Sequence, residues 1–475
     1  MIKLNKISDY IWEVPKSFRS DMLVPARILA SEKLLEKIKE DLSIEQTINV
    51  ATLPGIQKYS IAMPDIHEGY GFPIGGVAAF DQKEGIISPG GIGYDINCGV
   101  RLLKSTATLV EVRPRLPEIA DELFENIPSG VGKGGKVRFS DAELDEIMIE
   151  GAEWMLEKGF AKPEDITHIE ENGRLSMADP TKVSQRAKTR GRDQIGTLGS
   201  GNHFAEVQYV EKIFDKKAAE VFGLFEGQIT IAIHCGSRGL GHQHATDYLN
   251  VMRLAMAKYK ISVPDPELAC TLFESPEGQD YFAGMAAAAN FAFANRQYLT
   301  FLTRNIWEKF GFGELSLLYD IAHNIGKLEK HIIDGKEKNL VMHRKGATRS
   351  FGPARSEIPD DFKSVGQPVL LPGNMGIASY VMCGLDSSEE ISFGSAAHGA
   401  GRVMSRAQAK RTWYGKTLKE ELEAQGIYLR TSSWAGAAEE APGAYKDIDE
   451  VAQVTEGVGL AKRVARLRPL AVVKG

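Results

Sequence analysis

Cysteine is scarce in this chain. The four present, Cys98, Cys235, Cys270 and Cys383, are too scattered for a disulfide framework or a zinc-ribbon spacing, and a reducing cytosol is the compartment they fit. There is no surplus of positive charge either: 57 Lys and Arg face 63 Asp and Glu, a net charge of -6. No global polycation draws the protein to nucleic acid, so any RNA or DNA contact must come from a local cluster. The N-terminal segment Met1-Ile-Lys-Leu-Asn-Lys6 lacks a hydrophobic signal core, and no apolar run reaches bilayer-spanning length. A cytoplasmic protein without a membrane partner is expected. Low-complexity tracts, solenoid-length repeats and a clear linker are missing too, which favours one large α+β domain over residues 1–475.

What the chain has in abundance is glycine, 48 residues in all, much of it in loops that also hold His, Asn, Asp and Arg. The stretch Ile86-Ile-Ser-Pro-Gly-Gly-Ile-Gly-Tyr-Asp-Ile-Asn-Cys-Gly-Val-Arg101 is a poor helix and reads as a tight loop. It sets Asp95 and Cys98 three residues apart, a hard oxygen donor and a soft sulfur donor. That pair suits a borderline transition metal such as Mn, Zn, Fe or Co; a glycine-rich turn around an inert buried thiol is the plainer alternative.

Three apolar runs end in histidine: Ile229 to His234, Leu315 to His323 and Leu340 to His343. Strands sharing one sheet would put their imidazoles on one rim. With Asp95 and Cys98, the rings of His203, His234 and His323 supply enough ligands for two metals bridged by the thiolate, a common clamp for phosphoryl transfer. Elsewhere, apolar spacing suggests a helix in Met22 to Leu42. Amphipathic helices are expected from Leu116 to Asn126 and from Asp141 to Lys158, the latter capped by Ser140 or Asp141. An alanine-rich pattern from Asp280 to Phe310 reads as one or two helices, and further helices are expected from Gly401 to Arg411 and from Leu418 to Gln425. The run Ser129 to Lys136 superficially suggests a phosphate loop, but its spacing is wrong and a flexible connection is expected.

His398 lies in Ser395-Ala-Ala-His-Gly-Ala-Gly-Arg402, before an expected helix start near Gly401. Backbone N–H groups, a helix dipole and a guanidinium would all favour an anion there, and a neutral imidazole facing phosphorus could act as a nucleophile. A structural histidine beside a helix cap is the alternative. The runs Asn202-His-Phe-Ala-Glu206 and Leu371 to Ser379 offer groups that could read a base edge and cradle phosphates. Glu206 could accept from two adjacent N–H donors of guanine, or could be a surface residue on a strand. Arg186, Arg190, Arg192, Arg238, Lys345, Arg349 and Arg406 are candidates for a groove along a polynucleotide backbone.

Taken together, Asp95-Ile-Asn-Cys98-Gly-Val-Arg101, Gly199-Ser-Gly-Asn-His-Phe204, His234-Cys-Gly-Ser-Arg-Gly-Leu-Gly-His242, Tyr319-Asp-Ile-Ala-His-Asn324, His343-Arg-Lys-Gly-Ala-Thr-Arg349, Pro372-Gly-Asn-Met-Gly376 and His398-Gly-Ala-Gly-Arg402 make a chain that resembles the RtcB-type RNA-splicing ligases, in family order over nearly its whole length. The resemblance implies an α+β fold with central sheets flanked by helices and a metal and nucleotide site at strand ends. It also implies a GTP- and Mn(II)-dependent RNA ligase that joins a 3′-phosphate or 2′,3′-cyclic phosphate to a 5′-hydroxyl, as in tRNA splicing and RNA repair. Two manganese ions would be held by Asp95, Cys98, His203, His234 and His323, with Cys98 between them, and His398 would take GMP. Asp65 matches a family position near the metals. Guanylate contacts would come from Asn202, His203, Phe204, Ala205, Glu206, His323, Asn324, Pro372, Gly373, Asn374, Met375, Ser379, His398, Gly399, Ala400, Gly401 and Lys474, with Tyr445 near the base. RNA ends such as tRNA halves are the implied substrate, contacted by Arg186, Arg190, Lys345 and Arg406, and family members are often assisted by a small activating protein, archease. His234-Cys235 departs from the His-Ser form of the motif.

Overall fold

The strand-forming runs of this chain assemble into two large sheets in the computed structural model, which describes residues 2–475. The first has seven strands, ordered Asn5–Lys6, Ile11–Val14, Ala26–Leu29, Ile56–His67, Ile74–Asp81, Lys336–Lys345 and Asn324–Ile333. The second is ordered Leu315–Ala322, Gly99–Thr108, Gln228–Cys235, Phe204–Ile213, Ala461–Lys474, Ser379–Gly384 and Pro368–Leu371, with Tyr428–Thr431 added in parallel to Ala461–Lys474. Helices flank both, giving the α+β architecture expected. The sheets meet at His323, the single residue between Leu315–Ala322 of one and Asn324–Ile333 of the other.

The longest helix, Pro276–Lys309, runs for 34 residues. Ser275 caps it by accepting from the Gly278 N–H at 3.1 Å, Pro276 fits the first turn, and the alanine run carries it on. Between Tyr281 and Thr300 nearly every residue is buried, Asn290, Asn295, Arg296 and Gln297 included. A helix enclosed on all sides needs partners for each such polar group, and these partners turn out to organise the neighbouring strand ends.

Several expected elements change under tertiary context. The helical spacing of Met22 to Leu42 resolves into the strand Ala26–Leu29, paired with Ile11–Val14 and Ile56–His67, followed by the helix Glu32–Ile38. Leu116–Asn126 forms as expected. The helix expected from Asp141 is capped by Ser140 but breaks at Gly151 into Asp141–Glu150 and Ala152–Glu157. The helices expected after residue 400 begin later and earlier than read, as Arg406–Thr412 and Gly415–Ala424.

Register fixes the functional rim. Gly99 pairs with both Ala322 and Cys235, while His234 pairs with Val100 on one side and Phe204 on the other. Cys98, His234, His323 and His203 therefore fall in one row at the same end of four adjacent strands. Gly99 is required by the closeness of that approach: a Cβ there would lie 2.0 Å from the Ile321 carbonyl oxygen. Because backbone cannot yield as a flexible side chain can, Gly99→Ala should destabilise the protein by about 3 kcal/mol, the upper part of the usual overpacking range. A thermal melt compares the variant with the parent, and an unchanged midpoint would contradict the close strand contact.

Candidate active site

The rim closes into a cluster of ligand-type atoms. Cys98 Sγ lies 3.3 Å from His203 Nε2 and 3.2 Å from His234 Nε2. His234 Nε2 is 3.2 Å from His323 Nε2, and His203 Nε2 is 2.8 Å from Asp95 Oδ2. Two donor sets result, Cys98 with His234 and His323, and Cys98 with Asp95 and His203. Cys98 is common to both, which is the arrangement a bridging sulfur requires. Of the expected strand-end histidines, His343 does not join: its strand lies in the seven-stranded sheet, where the ring accepts from the Ser88 N–H at 3.1 Å and packs against Phe72 and Phe80. His203, which precedes the strand Phe204–Ile213, takes the third place.

The chemistry of the donors fits a pair of cations. Burial, and then the Asp95 carboxylate, push the Cys98 thiol up to about 12, so without a cation the sulfur keeps its proton. Burial also drives His234 and His323 well below the usual imidazole range, with nearby imidazoles adding to it, and leaves them neutral as ligation demands. His203 Nδ1 lies 2.8 Å from the Leu198 carbonyl, a contact that orients the ring. Burial opposes its charging, but Cys98, Cys235 and Asp95 hold this imidazole well above the usual range, so it gives up a proton when it ligates. His323 Nδ1 has no such partner among the described residues. The backbone braces the loop: the Cys98 N–H donates to Asp95 O at 3.0 Å, the Asn97 N–H to Asn324 O at 2.7 Å, and the His323 N–H to Cys98 O at 2.9 Å. Cys235 sits behind His203, 3.2 and 3.1 Å from the Thr197 and Leu198 carbonyls, so its thiol serves as a donor where a hydroxyl was expected.

A cavity of about 750 Å³ opens from this cluster. Asp95, Cys98, Asn202, Phe204, Glu206, His234, His323, Asn324, Pro372 to Met375, Ser379, His398 to Gly401, Tyr445 and Lys474 line it, together with Lys345 and Arg406. His203 and Ala205 are buried behind the lining. His398 is not at a helix N-terminus as expected, because the next helix begins at Arg406 under a Ser405 cap. Asp65 instead governs the loop. Its Oδ2 accepts from the backbone N–H groups of His398 at 3.0 Å and Gly399 at 3.1 Å, and lies 2.6 Å from His398 Nδ1, off the line of a good hydrogen bond. Burial opposes ionisation of Asp65, but His398, Lys446 and the backbone hold its carboxyl below the usual range. Gly401, at φ +69°, allows the return of the loop over the Asp65 carbonyl, which a Cβ would meet at 2.0 Å.

Also in the cavity lining, Glu206 is buried, not on the surface, and burial pushes its carboxyl up to about 7 against the influence of Gln208 and Lys474. Gln208 Nε2 donates to Glu206 Oε1 at 2.6 Å and to Ser379 Oγ at 3.2 Å. Strand alternation is the signal that could have pointed to Gln208, two residues on and facing the same side. Glu440, which the sequence reading missed, is fully enclosed among Arg402, Tyr445 and Lys474, with Arg406 3.5 Å away. Lys474 Nζ also donates to Gly201 O at 3.1 Å.

The basic candidates divide. Arg186 and Arg190 are exposed on the helix Gln185–Gly191, and Arg190 donates to Gln243 at 2.8 Å. Arg406 is half-exposed at the rim. Lys345 is buried, its Nζ donating to the Tyr70 and Phe72 carbonyls at 2.7 Å each. Arg349 is turned inward to Glu171 and Tyr319, and Arg192 pairs with Asp141.

Residues 46–475 match the family described as tRNA-splicing ligase RtcB. The chain belongs to that family. It is 55% identical to the tRNA-splicing ligase RtcB of Archaeoglobus fulgidus, over 99% of both chains. With the protein of that name from Thermococcus kodakarensis it shares 53% over 100% of this chain and 99% of the other, and with that from Nanoarchaeum equitans 50% over the whole of both. In this RtcB-family chain the motifs quoted from the sequence meet at one cavity although up to about 300 residues separate them, Asp95 from His398.

Because both donor sets depend on one sulfur, Cys98→Ala should abolish two-ion loading. Elemental analysis after incubation with manganese and gel filtration reads this directly. Two ions retained per variant chain would exclude the bridging role.

Proposed function

We propose that this protein is a GTP- and Mn(II)-dependent RNA ligase that joins a 3′-phosphate or 2′,3′-cyclic phosphate end to a 5′-hydroxyl end through a histidine-GMP intermediate. The observation that carries this reading is the position of His398, in the same cavity as the doubly shared Cys98 cluster and 4.9 Å, ring to ring, from the candidate ligand His323. Its relatives are tRNA-splicing ligases by name, which agrees with RNA as the substrate. Among the described residues no helix is long and apolar enough to cross a membrane.

Asp95, Cys98 and His203 would hold one manganese ion, and Cys98, His234 and His323 the other. Bound there, the ions supply charge that offsets the phosphates and withdraws electrons from phosphorus. The protein's own groups set the geometry. Asp65 faces His398 Nδ1 and fixes the loop through two backbone N–H groups, which directs Nε2 outward as the nucleophile. Attack of that nitrogen on the α-phosphorus of GTP forms a P–N bond, breaks the bond to the β-phosphate oxygen and releases pyrophosphate. GMP then passes to the RNA 3′-phosphate, a poor electrophile until it carries a leaving group. The 5′-hydroxyl attacks this activated end, the phosphodiester forms and GMP departs. A cyclic phosphate is first opened by water. Glu206, ionised, accepts from the two adjacent N–H donors of guanine, a pattern that adenine lacks. Arg186, Arg190, Lys345 and Arg406 are proposed to meet the RNA, and archease is the proposed helper.

His398→Ala should leave no acid-labile adduct after incubation with labelled GTP and Mn(II), and no joined RNA. Full hydrolysis of a 2′,3′-cyclic phosphate RNA without GTP, with no joined product when GTP is added, would instead identify a phosphoesterase.

The raised Glu206 carboxyl gives a pH dependence with a definite sign. Its protonated form predominates below about 7 and cannot accept from both guanine donors, so GTP should bind about tenfold more weakly at pH 6 than at pH 8. Calorimetry on the parent and Glu206→Gln tests this. The slope should disappear in the variant, and an equal slope in both would exclude Glu206 as its source.

A further inference from the structure

Three consecutive polar residues, Asn295, Arg296 and Gln297, lie in the middle of the long helix Pro276–Lys309 with no solvent exposure. An unpaired guanidinium there would cost several kcal/mol, so every contact that satisfies Arg296 is structurally expensive to lose. Those contacts are not spread at random. Arg296 Nη1 donates to the carbonyl of Asn97 at 2.7 Å, the residue before Cys98, and to that of Cys235 at 2.9 Å, the residue after His234. Its Nη2 donates to Asn97 Oδ1 at 3.2 Å and to Asp320 Oδ1 at 2.8 Å, and its Nε to Asp320 Oδ2 at 2.9 Å. Asp320 stands three residues before His323, on the strand that leads into it. One side chain thus touches three of the four segments that carry the candidate ligands.

Asn295 holds the fourth. Its Oδ1 accepts from the Gly196 N–H at 2.8 Å, and its Nδ2 donates to Thr197 O at 3.3 Å and Gly236 O at 3.2 Å. The adjoining Leu198 carbonyl is the group that orients His203.

We propose that Arg296, supported by Asn295, is a positioning residue that sets the spacing of the cation-binding donors from behind. The fork geometry of guanidinium is what allows this: five N–H donors in one plane reach the backbone of two segments and the Asp320 carboxylate of a third, whereas a lysine ammonium is a point donor that cannot span them. The inference rests on the reading of the Cys98 cluster as a two-cation site. It goes beyond that reading by making ion affinity and coordination depend on a residue that touches no ion.

Cobalt(II) is the probe, since its ligand-field bands and its thiolate charge-transfer band report coordination without turnover. Asn290 provides the control. It is equally buried on the same helix, but its Nδ2 donates to Met148, Ile149 and Leu175 carbonyls remote from the cluster. Arg296→Lys and Asn295→Ala should each weaken cobalt binding at least tenfold and shift the charge-transfer band. Asn290→Ala should lower the melting temperature and leave affinity and spectrum as in the parent. Parent-like affinity and spectrum in both Arg296→Lys and Asn295→Ala overturn the positioning role while leaving the two-cation reading intact. A parent protein that takes up no cobalt removes both. Should Arg296→Lys fail to fold, Asn295→Ala decides by the same criteria.

Discussion

Two guanidiniums and one carboxylate, Arg101, Arg296 and Asp320, are sealed without solvent exposure between the second sheet and the long helix. Arg101 Nε donates to Asp320 Oδ2 at 2.7 Å, beside the bonds from Arg296, and its Nη1 reaches Gln297 and, at 3.1 Å, Thr300. A buried ion pair gains little over apolar packing, but removing one member strands the others at a cost of about 3–5 kcal/mol. The group is therefore weak evidence for stability and strong evidence for specificity of arrangement. It ties the strands Gly99–Thr108 and Leu315–Ala322 to the helix at the level where the candidate ligands begin. The rim is held from below by charge and from within by backbone pairing, so the protein alone sets its donors.

The cavity above is lined by two unlike groups of residues. Near Cys98 stand two imidazoles kept neutral by burial, His234 and His323, a thiol kept protonated, and the Asp95–His203 pair, a donor set that would take up a cation by releasing protons. Near Lys474 the fully buried Glu440 is matched by Arg402, Arg406 and Lys474, and the base-reading candidate Glu206 stands apart with a carboxyl near neutrality. His398 lines the same cavity beside His323, on a loop held by Asp65. A cleft that gathers cation-type donors, a cluster of basic groups and a potential nucleophile in one lining suits a reaction on a phosphate carried by a bulky nucleoside.

Much of this was readable from residues alone because the chemistry is concentrated in short motifs. Asp95, Cys98, His203, His234 and His323 converge as their residue types suggest, and Asn202 to Glu206 and Pro372 to Ser379 reach the same cavity through Phe204–Ile213 and the turn before Ser379–Gly384. What local pattern could not supply was partnership across the fold. The spacing of Met22 to Leu42 suits a helix, yet Ala26–Leu29 gains more as a rung between two strands. Gly-Ala-Gly-Arg402 looked like a helix entrance, yet Asp65, more than three hundred residues away, satisfies the N–H groups a helix would have left free. Arg296 gave no local sign at all, since a basic residue in an alanine-rich helix ordinarily faces water.

The single-residue junction at His323 carries a further implication. The strand that leads into it, Leu315–Ala322, pairs with Gly99–Thr108 in unbroken register from Tyr319 to Ala322, beyond a bulge at Leu317, and in any such ladder a slip by one position turns each side chain to the opposite face. Here that slip would carry Asp320 out of reach of both guanidiniums and break the row of donors at once. Misregistered chains would thus be inert and not merely weakened, and the pairing that gives the molecule its shape would also serve as its quality control.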